Sequence, residues 1–179
     1  MTENQFSKRV KSYIEKAIRE RGFSSIKIKE KVNILNSLAI GKVKSKWKIV
    51  LGFLEQDLVL YEDEININEL KSEKIFIPRA TKDKKIIIPL AILEVKIGKN
   101  VQTHHFITYG SIAREIKSVF PNCAYYFISS GSEKTFSEAT LLKHARYLKE
   151  FDSVFMDWEK DKEKVIGSLV SHLERIKSK

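Results

Sequence analysis

"IIIPLAILEVKI", residues 86–97, is apolar nearly throughout. A short run of that kind is expected of a central strand covered on both faces. Pro89 counts against an unbroken ladder, because proline has no N–H to donate; a bulge or a late strand start accommodates it. Two charged residues remain to be explained. Side chains alternate along a strand, so Glu94 and Lys96 share one face, about 6.6–7 Å apart, while Leu93, Val95 and Ile97 point the other way. Burying a carboxylate and an ammonium costs several kcal/mol each unless they are paired or hold something charged. A simple Glu–Lys ion pair, a strand that has already ended in solvent, and a reactive site all fit the segment taken alone.

The flanking sequence sets this strand in an α/β chain. Phe6, Val10, Tyr13, Ile14, Ala17 and Ile18 recur at helical spacing and predict a helix over 4–21, stopped by Gly22. "SSIKIKEKVNILNSLAIGKVKSK" alternates Ile26 and Ile28 with lysines, which predicts short edge strands and an irregular connection. "WKIVLGFLEQDLVLYEDEI" is rich in Val, Leu, Phe and Tyr and predicts one strand or a pair. Residues 62–84 are mostly polar, and "IPRATKDKK" (77–85) reads as an exposed turn. After Gly98 the period becomes helical through Phe106, Tyr109, Ala113, Ile116 and Phe120, and Pro121 ends it. "CAYYFISS" (123–130) is a further short strand. Thr135 and Glu138 form a capping box for a helix through Leu141, Leu142, Ala145 and Leu148. A last amphipathic helix carries Val165, Ile166, Leu169, Val170, Leu173 and Ile176. Successive strands without intervening helices before residue 97 imply a mixed sheet.

The 179 residues suit one domain, with a core over about 5–130 and a C-terminal helical extension over 131–179. A formal charge of +10, from 33 Lys+Arg against 23 Asp+Glu, draws such a protein toward polyanions, of which nucleic acid is the commonest. Lysine-rich composition is also an ordinary solvated surface. Cys123 is the single cysteine, which excludes an internal disulfide and a cysteine-based zinc site. "MTENQFSKRVKSY" lacks a hydrophobic signal core and no run approaches transmembrane length, so no membrane association and a cytoplasmic location are expected.

Upstream, "EQDLVLY" sets Asp57 directly before Leu58, Val59 and Leu60. Aspartate is depleted in strands, because its side chain competes for local backbone hydrogen bonds. If its strand neighbours the Glu-x-Lys strand, two carboxylates and an amine share a site. Magnesium suits such a pair: it is a hard cation that takes one or two carboxylates and keeps waters for phosphate oxygens. A lysine beside it can orient or help deprotonate a water and offset charge building on a phosphate.

Asp57, Glu94 and Lys96, with the order helix, strands, helix, strand across about 5–130, resemble the PD-(D/E)XK nucleases, the restriction-endonuclease-like superfamily. The resemblance implies an αβββαβ core with extra C-terminal helices and a Mg²⁺-dependent DNA endonuclease, with Mn²⁺ as a substitute. It makes Asp57 and Glu94 metal ligands, Lys96 the catalytic lysine, the Val95 carbonyl an additional ligand, and a homodimer the expected form. Gln56 stands where the family often carries proline, and the 62–84 stretch must loop out between paired strands. A restriction-type enzyme and a Holliday junction resolvase both fit. So does a non-catalytic DNA-binding or assembly protein on the same fold.

Accessory acids are sought at Glu55, two residues before Asp57, and on the first helix at Glu15 and Glu20. Asp63 replaces Asp57 if the register is shifted. Gln102 and Lys99, just beyond the strand, are candidates for the DNA backbone. Trp47 among Lys44, Lys46 and Lys48 can meet base and phosphate together, though an edge strand with alternating lysines explains the pattern equally well. His104 and His105 read as exposed helix residues near the site's rim.

Overall fold

Two runs rich in β-branched and aromatic residues, joined by Lys44 and Ser45, fold into one long hairpin: β1 (Lys27–Val43) and β2 (Lys46–Asn66), paired antiparallel. Lys44 and Ser45 both have positive φ, 49° and 64°. Positive φ at both central residues is what a two-residue type I′ turn requires, because its twist matches that of the flanking strands. The expected short edge strands over 24–46 are therefore one strand of 17 residues, and the next segment is one strand of 21 rather than two.

Around the hairpin, the computed structural model describes residues 1–70, 75–76, 85–98, 101–131 and 147–178. The chain begins with α1 (Glu3–Glu20), whose N-cap is a Thr2–Gln5 capping box. After β2 come a 3₁₀ turn (Ile67–Leu70), β3 (Ile75–Phe76) and β4 (Lys85–Lys96). Then follow α2 (Thr103–Val119), β5 (Ala124–Ser129), β6 (Ser153–Phe155) and α3 (Trp158–Lys177). The Thr135–Glu138 capping box and the helix through Leu141, Leu142 and Ala145 fall outside the described residues, as does the 77–84 turn.

The strands form a mixed sheet in the order β1-β2-β4-β5-β6, with β3 alongside β2. The β1–β2 and β2–β4 pairs are antiparallel, and β4–β5 and β5–β6 are parallel, with α2 as the β4–β5 crossover. The central strand carries Pro89 opposite Tyr61, between two shifts of the β2–β4 register, so a bulge absorbs the missing donor.

Each face of the sheet has its own core. On one, Leu58, Leu60, Leu93 and Val95 pack with Phe6, Val10 and Ile14 of α1 and with Trp158, Val165, Ile166 and Leu169 of α3. On the other, Val59, Tyr61, Ile92, Tyr125 and Phe127 pack with Phe106, Ala113 and Ile116 of α2. The expected C-terminal extension is therefore integral to the described fold: β6 lengthens the sheet and α3 shares the α1 core. No described helix is long and apolar enough to cross a membrane.

Candidate active site at the end of the central strand

Asp57 and Glu94 lie just past the last paired residues of β2 and β4, Leu58 and Leu93, on the α2 side of the sheet. There the ladder opens, and side chains replace backbone as partners. The Val95 N–H donates to Asp57 Oδ2 at 3.1 Å. A strand residue directs its N–H and C=O to the same neighbour, so the Val95 carbonyl also faces the β2 side. The Lys96 amine lies 2.7 Å from Glu94 Oε1 and 3.1 Å from Asp57 Oδ2. Glu94 hydrogen-bonds Asp57. All three are buried: Asp57 is 5%, Glu94 4% and Lys96 9% exposed. Adjacency of two strands thus turns three separated residues into one cluster.

The hairpin supplies a fourth member. Lys31 of β1 stands opposite Asp57, between the Glu30–Leu58 and Val32–Gln56 pairs, and its amine binds Asp57 Oδ1. Its φ is 52°, uncommon for a side-chain-bearing residue. The consequence shows in packing. Ile28 lies in the α1-side core, but Val32 and Ile34 lie in the α2-side core. Even spacing along an uninterrupted strand would keep all three on one face, so the hairpin changes face at Lys31. On β2, Leu58 packs toward α1, whereas Gln56 reaches the α2-side Tyr125, whose hydroxyl donates to Gln56 Oε1 at 2.8 Å. That switch turns Gln56 inward, and it is buried beside Asp57.

Burial dominates the electrostatics. It pushes the Glu94 carboxyl up to about 8, and the negative charge of Asp57 adds to the rise against the opposing pull of Lys96. Burial also acts to raise Asp57, but hydrogen bonds from Glu94 and Lys31 and the charge of Lys96 hold it below its ordinary value. For Lys96, burial opposes the charge, yet the adjoining Glu94 and Asp57 keep the amine well above its ordinary range. The Lys31 amine is likewise raised: Asp57 outweighs its partial burial. Two carboxyls in contact therefore share one negative charge, on Asp57, between two cations.

Around this centre, Lys96 also meets Glu3 Oε1 at 3.2 Å and lies over the Tyr109 ring at 5.1 Å. Burial raises the Tyr109 hydroxyl to about 12, and Glu94 contributes. His105 stacks on Tyr109, and its Nδ1 accepts the Gln102 N–H at 2.9 Å, closing the first turn of α2. His105 is half-buried and His104 exposed, so only one of the pair is the exposed rim residue expected.

Several accessory candidates lie elsewhere. Glu55 is exposed, since the face switch turns it away as Gln56 turns in. Glu15 binds Arg19 and Glu20 binds Lys16 on the solvent side of α1, so the acid that α1 brings to the site is Glu3. Asp63 is exposed farther along β2, and the register leaves Asp57 in place. Lys46 and Lys48 belong to the far end of the hairpin, ten residues or so from Asp57 along β2. Lys99 falls outside the described residues. Lys31, Glu3 and Tyr109 are the contributors sequence reasoning missed. Glu3 is reachable through the Thr2-x-x-Gln5 box, which places it in the first turn of α1; Tyr109 carries no sequence signal beyond its place on the apolar stripe of α2.

The oxygen donors at the site are two carboxylates and a backbone carbonyl; among the described residues no cluster of three or more His, Cys, Asp or Glu side chains forms. That set is hard, and small enough to suit a cation that keeps part of its water shell. No protein-family model and no curated protein matches this chain.

Proposed function

We propose that this chain is a magnesium-dependent DNA endonuclease with a restriction-endonuclease-like core. The observation that carries this reading is the convergence of Asp57, Glu94 and Lys96 in one buried cluster where β2 and β4 part. The order of α1, three antiparallel strands, α2 and a parallel strand supports the same fold family, and the +10 charge suits a polyanionic substrate.

Asp57, Glu94 and the Val95 carbonyl would hold the cation. When bound, it lowers the pKa of water and neutralises phosphate oxygens. The remaining work falls to the chain. Glu94 gives up its proton on taking a cationic partner, and the Val95 N–H keeps Asp57 oriented. Lys96 stays charged beside Glu94, so it acts as a fixed cation toward the scissile phosphate and a donor that orients the attacking water, rather than as a base. Tyr109 and His105 wall the site on the α2 side. The resemblance adds a homodimer and leaves restriction-type and junction-resolving specificity both open.

One observation favours a rival, a DNA-binding protein that keeps the fold without turnover: Asp57 is already fully engaged by Lys31, Lys96, Glu94 and Val95. Cleavage assays on plasmid and branched DNA decide between them, with and without Mg²⁺, alongside Glu94→Ala and Lys96→Ala. The proposal expects Mg²⁺-dependent cleavage reduced at least about 10²-fold in both variants. Wild-type inactivity on every substrate, or undiminished cleavage by both variants, overturns it; binding without cleavage supports the rival.

A further inference from the structure

Beyond the bulge at Leu35–Ser37, the hairpin continues for seven residue pairs, from Ser37–Gly52 to Val43–Lys46, roughly 20 Å of two-stranded ribbon. Gly52 permits that bulge: a Cβ there would lie 2.0 Å from Ser37 Oγ. The ribbon exposes large apolar side chains that globular surfaces seldom show together. Leu38 is 59%, Ile40 78%, Trp47 67% and Ile49 43% exposed. Leu38 pairs with Leu51, Ile40 with Ile49 and Lys42 with Trp47, so these four share one face with Lys42, whose amine lies over the Trp47 ring at 5.2 Å. Lys46 and Lys48 stand on the other face, and Lys44 sits at the apex with left-handed backbone. From Lys31 to Leu54 the sequence contains no aspartate or glutamate, so the arm's charge is wholly positive.

We propose that this arm is a nucleic-acid-binding ribbon that docks on duplex DNA, with Trp47 and its apolar neighbours against the bases and Lys42, Lys44, Lys46 and Lys48 on the phosphates. The inference rests on the nuclease reading for its choice of DNA, but not on cleavage. Charge decides the occupant. Four lysines with no acid among them complement a polyanion and repel a second copy of the same arm. Four exposed apolar residues also fall far short of the roughly 20–30 residues a side that a stable protein interface uses. A two-stranded β-ribbon fits the major groove, where apolar side chains meet base edges and thymine methyl groups, and lysines alongside reach the flanking phosphates. Trp47 lies ten residues from Asp57 along β2, roughly 33 Å away, so the arm supplies affinity and not chemistry.

Trp47 makes the test direct. The chain has two tryptophans, and the other, Trp158, is 1% exposed in the core. The full chain is titrated in EDTA with a 20-base-pair duplex while tryptophan emission and acrylamide quenching are followed, with Trp47→Phe identifying the Trp47 signal. Duplex is expected to shield Trp47 from acrylamide. Replacing Lys42, Lys44, Lys46 and Lys48 together by Gln is expected to reduce the slope of log K against log salt by about 3–4. Circular dichroism confirms that this variant is folded; should it not be, Lys44→Gln and Lys46→Gln separately should each reduce the slope by about 1. Binding that leaves Trp47 open to acrylamide, an unchanged salt slope, or no duplex binding overturns the proposal. So does shielding that grows with protein concentration in the absence of DNA, the mark of a second copy. The two readings fail separately. Shielding by duplex without cleavage in Mg²⁺ removes the nuclease and keeps the arm, whereas cleavage with Trp47 exposed removes the arm alone.

Discussion

Replacing Glu94 by Gln should make the metal-free protein more stable, and increasingly so as pH rises. Glutamine keeps the shape of the side chain and can still donate to Asp57, but it cannot ionise. In wild type the Glu94 carboxyl titrates at about 8 in the folded state against an ordinary 4.5. Between those values the native state holds a proton that the unfolded chain has released. Stability therefore falls as pH rises through that window, by about 1.4 kcal/mol per unit. The penalty is absent below about pH 4.5, reaches at most about 3.4 kcal/mol at pH 7 from the 2.5 units crossed, and levels off above about 8. Glu94→Gln lacks this term. The difference in unfolding free energy between variant and wild type should grow with pH and, for a chain of this size, correspond at pH 7 to a Tm gain of about 7–13 °C.

Urea and thermal unfolding in EDTA at pH 5, 6, 7 and 8 measure this difference. Parallel pH profiles, or a variant less stable than wild type at pH 7 and 8, refute the claim that burial and Asp57 hold Glu94 protonated. Mg²⁺ narrows the gap between variant and wild type if the carboxyl is a ligand. A cation at 100 times its Kd stabilises the native state by about 2.7 kcal/mol, and that gain should shrink or vanish in Glu94→Gln.

Lys31→Gln should tighten Mn²⁺ binding about fivefold in calorimetry, because a half-exposed amine worth about 1 kcal/mol no longer competes for Asp57 Oδ1; weaker binding would mean that Lys31 helps to build the cation site. Lys44→Asn with Ser45→Gly should raise stability by about 1–2 kcal/mol in urea unfolding, since these residues adopt the left-handed turn without the Cβ penalty that lysine and serine bear. No gain would show that the turn is not I′ in solution. Gly98→Ala should destabilise by about 1–3 kcal/mol, because a Cβ there would sit 1.9 Å from the Gly131 carbonyl oxygen. An unperturbed melting curve would place the two segments farther apart.

What the sequence can reveal here depends on how each feature is encoded. Asp57, Glu94 and Lys96 were legible because strand alternation puts Glu94 and Lys96 on one face, and an aspartate entering an apolar strand is out of place without a partner. Pro89 was legible as a bulge or a late strand start for a similar reason, a missing N–H that a central strand must absorb somewhere, and the register shifts around it make it the bulge. The hairpin was not. "VKSKW" contains no glycine or asparagine, and turn recognition relies on residues that tolerate positive φ, whereas Lys44 and Ser45 adopt it without that signature. Gly98 marks the change from strand to helical period in the sequence, but the structure needs glycine there for close packing against Gly131.

Lys31 marks the deeper limit. The β1–β2 register is identical on either side of it, so Ile28–Leu60 and Val32–Gln56 belong to one continuous ladder. Counting by twos from Ile28 therefore assigns Val32 and Ile34 to the α1 core, and counting from Leu58 sends Gln56 there as well. Both counts fail, because one left-handed residue rotates the strand about its axis without changing its register. That rotation brings Gln56 to the Tyr125 hydroxyl, turns Glu55 out to solvent, and aims the Lys31 amine at the carboxylate opposite. By spacing alone, Glu55 shares a face with Asp57. Face assignments from alternation hold only up to the nearest residue with positive φ, and at Lys31 that residue stands beside the candidate site itself.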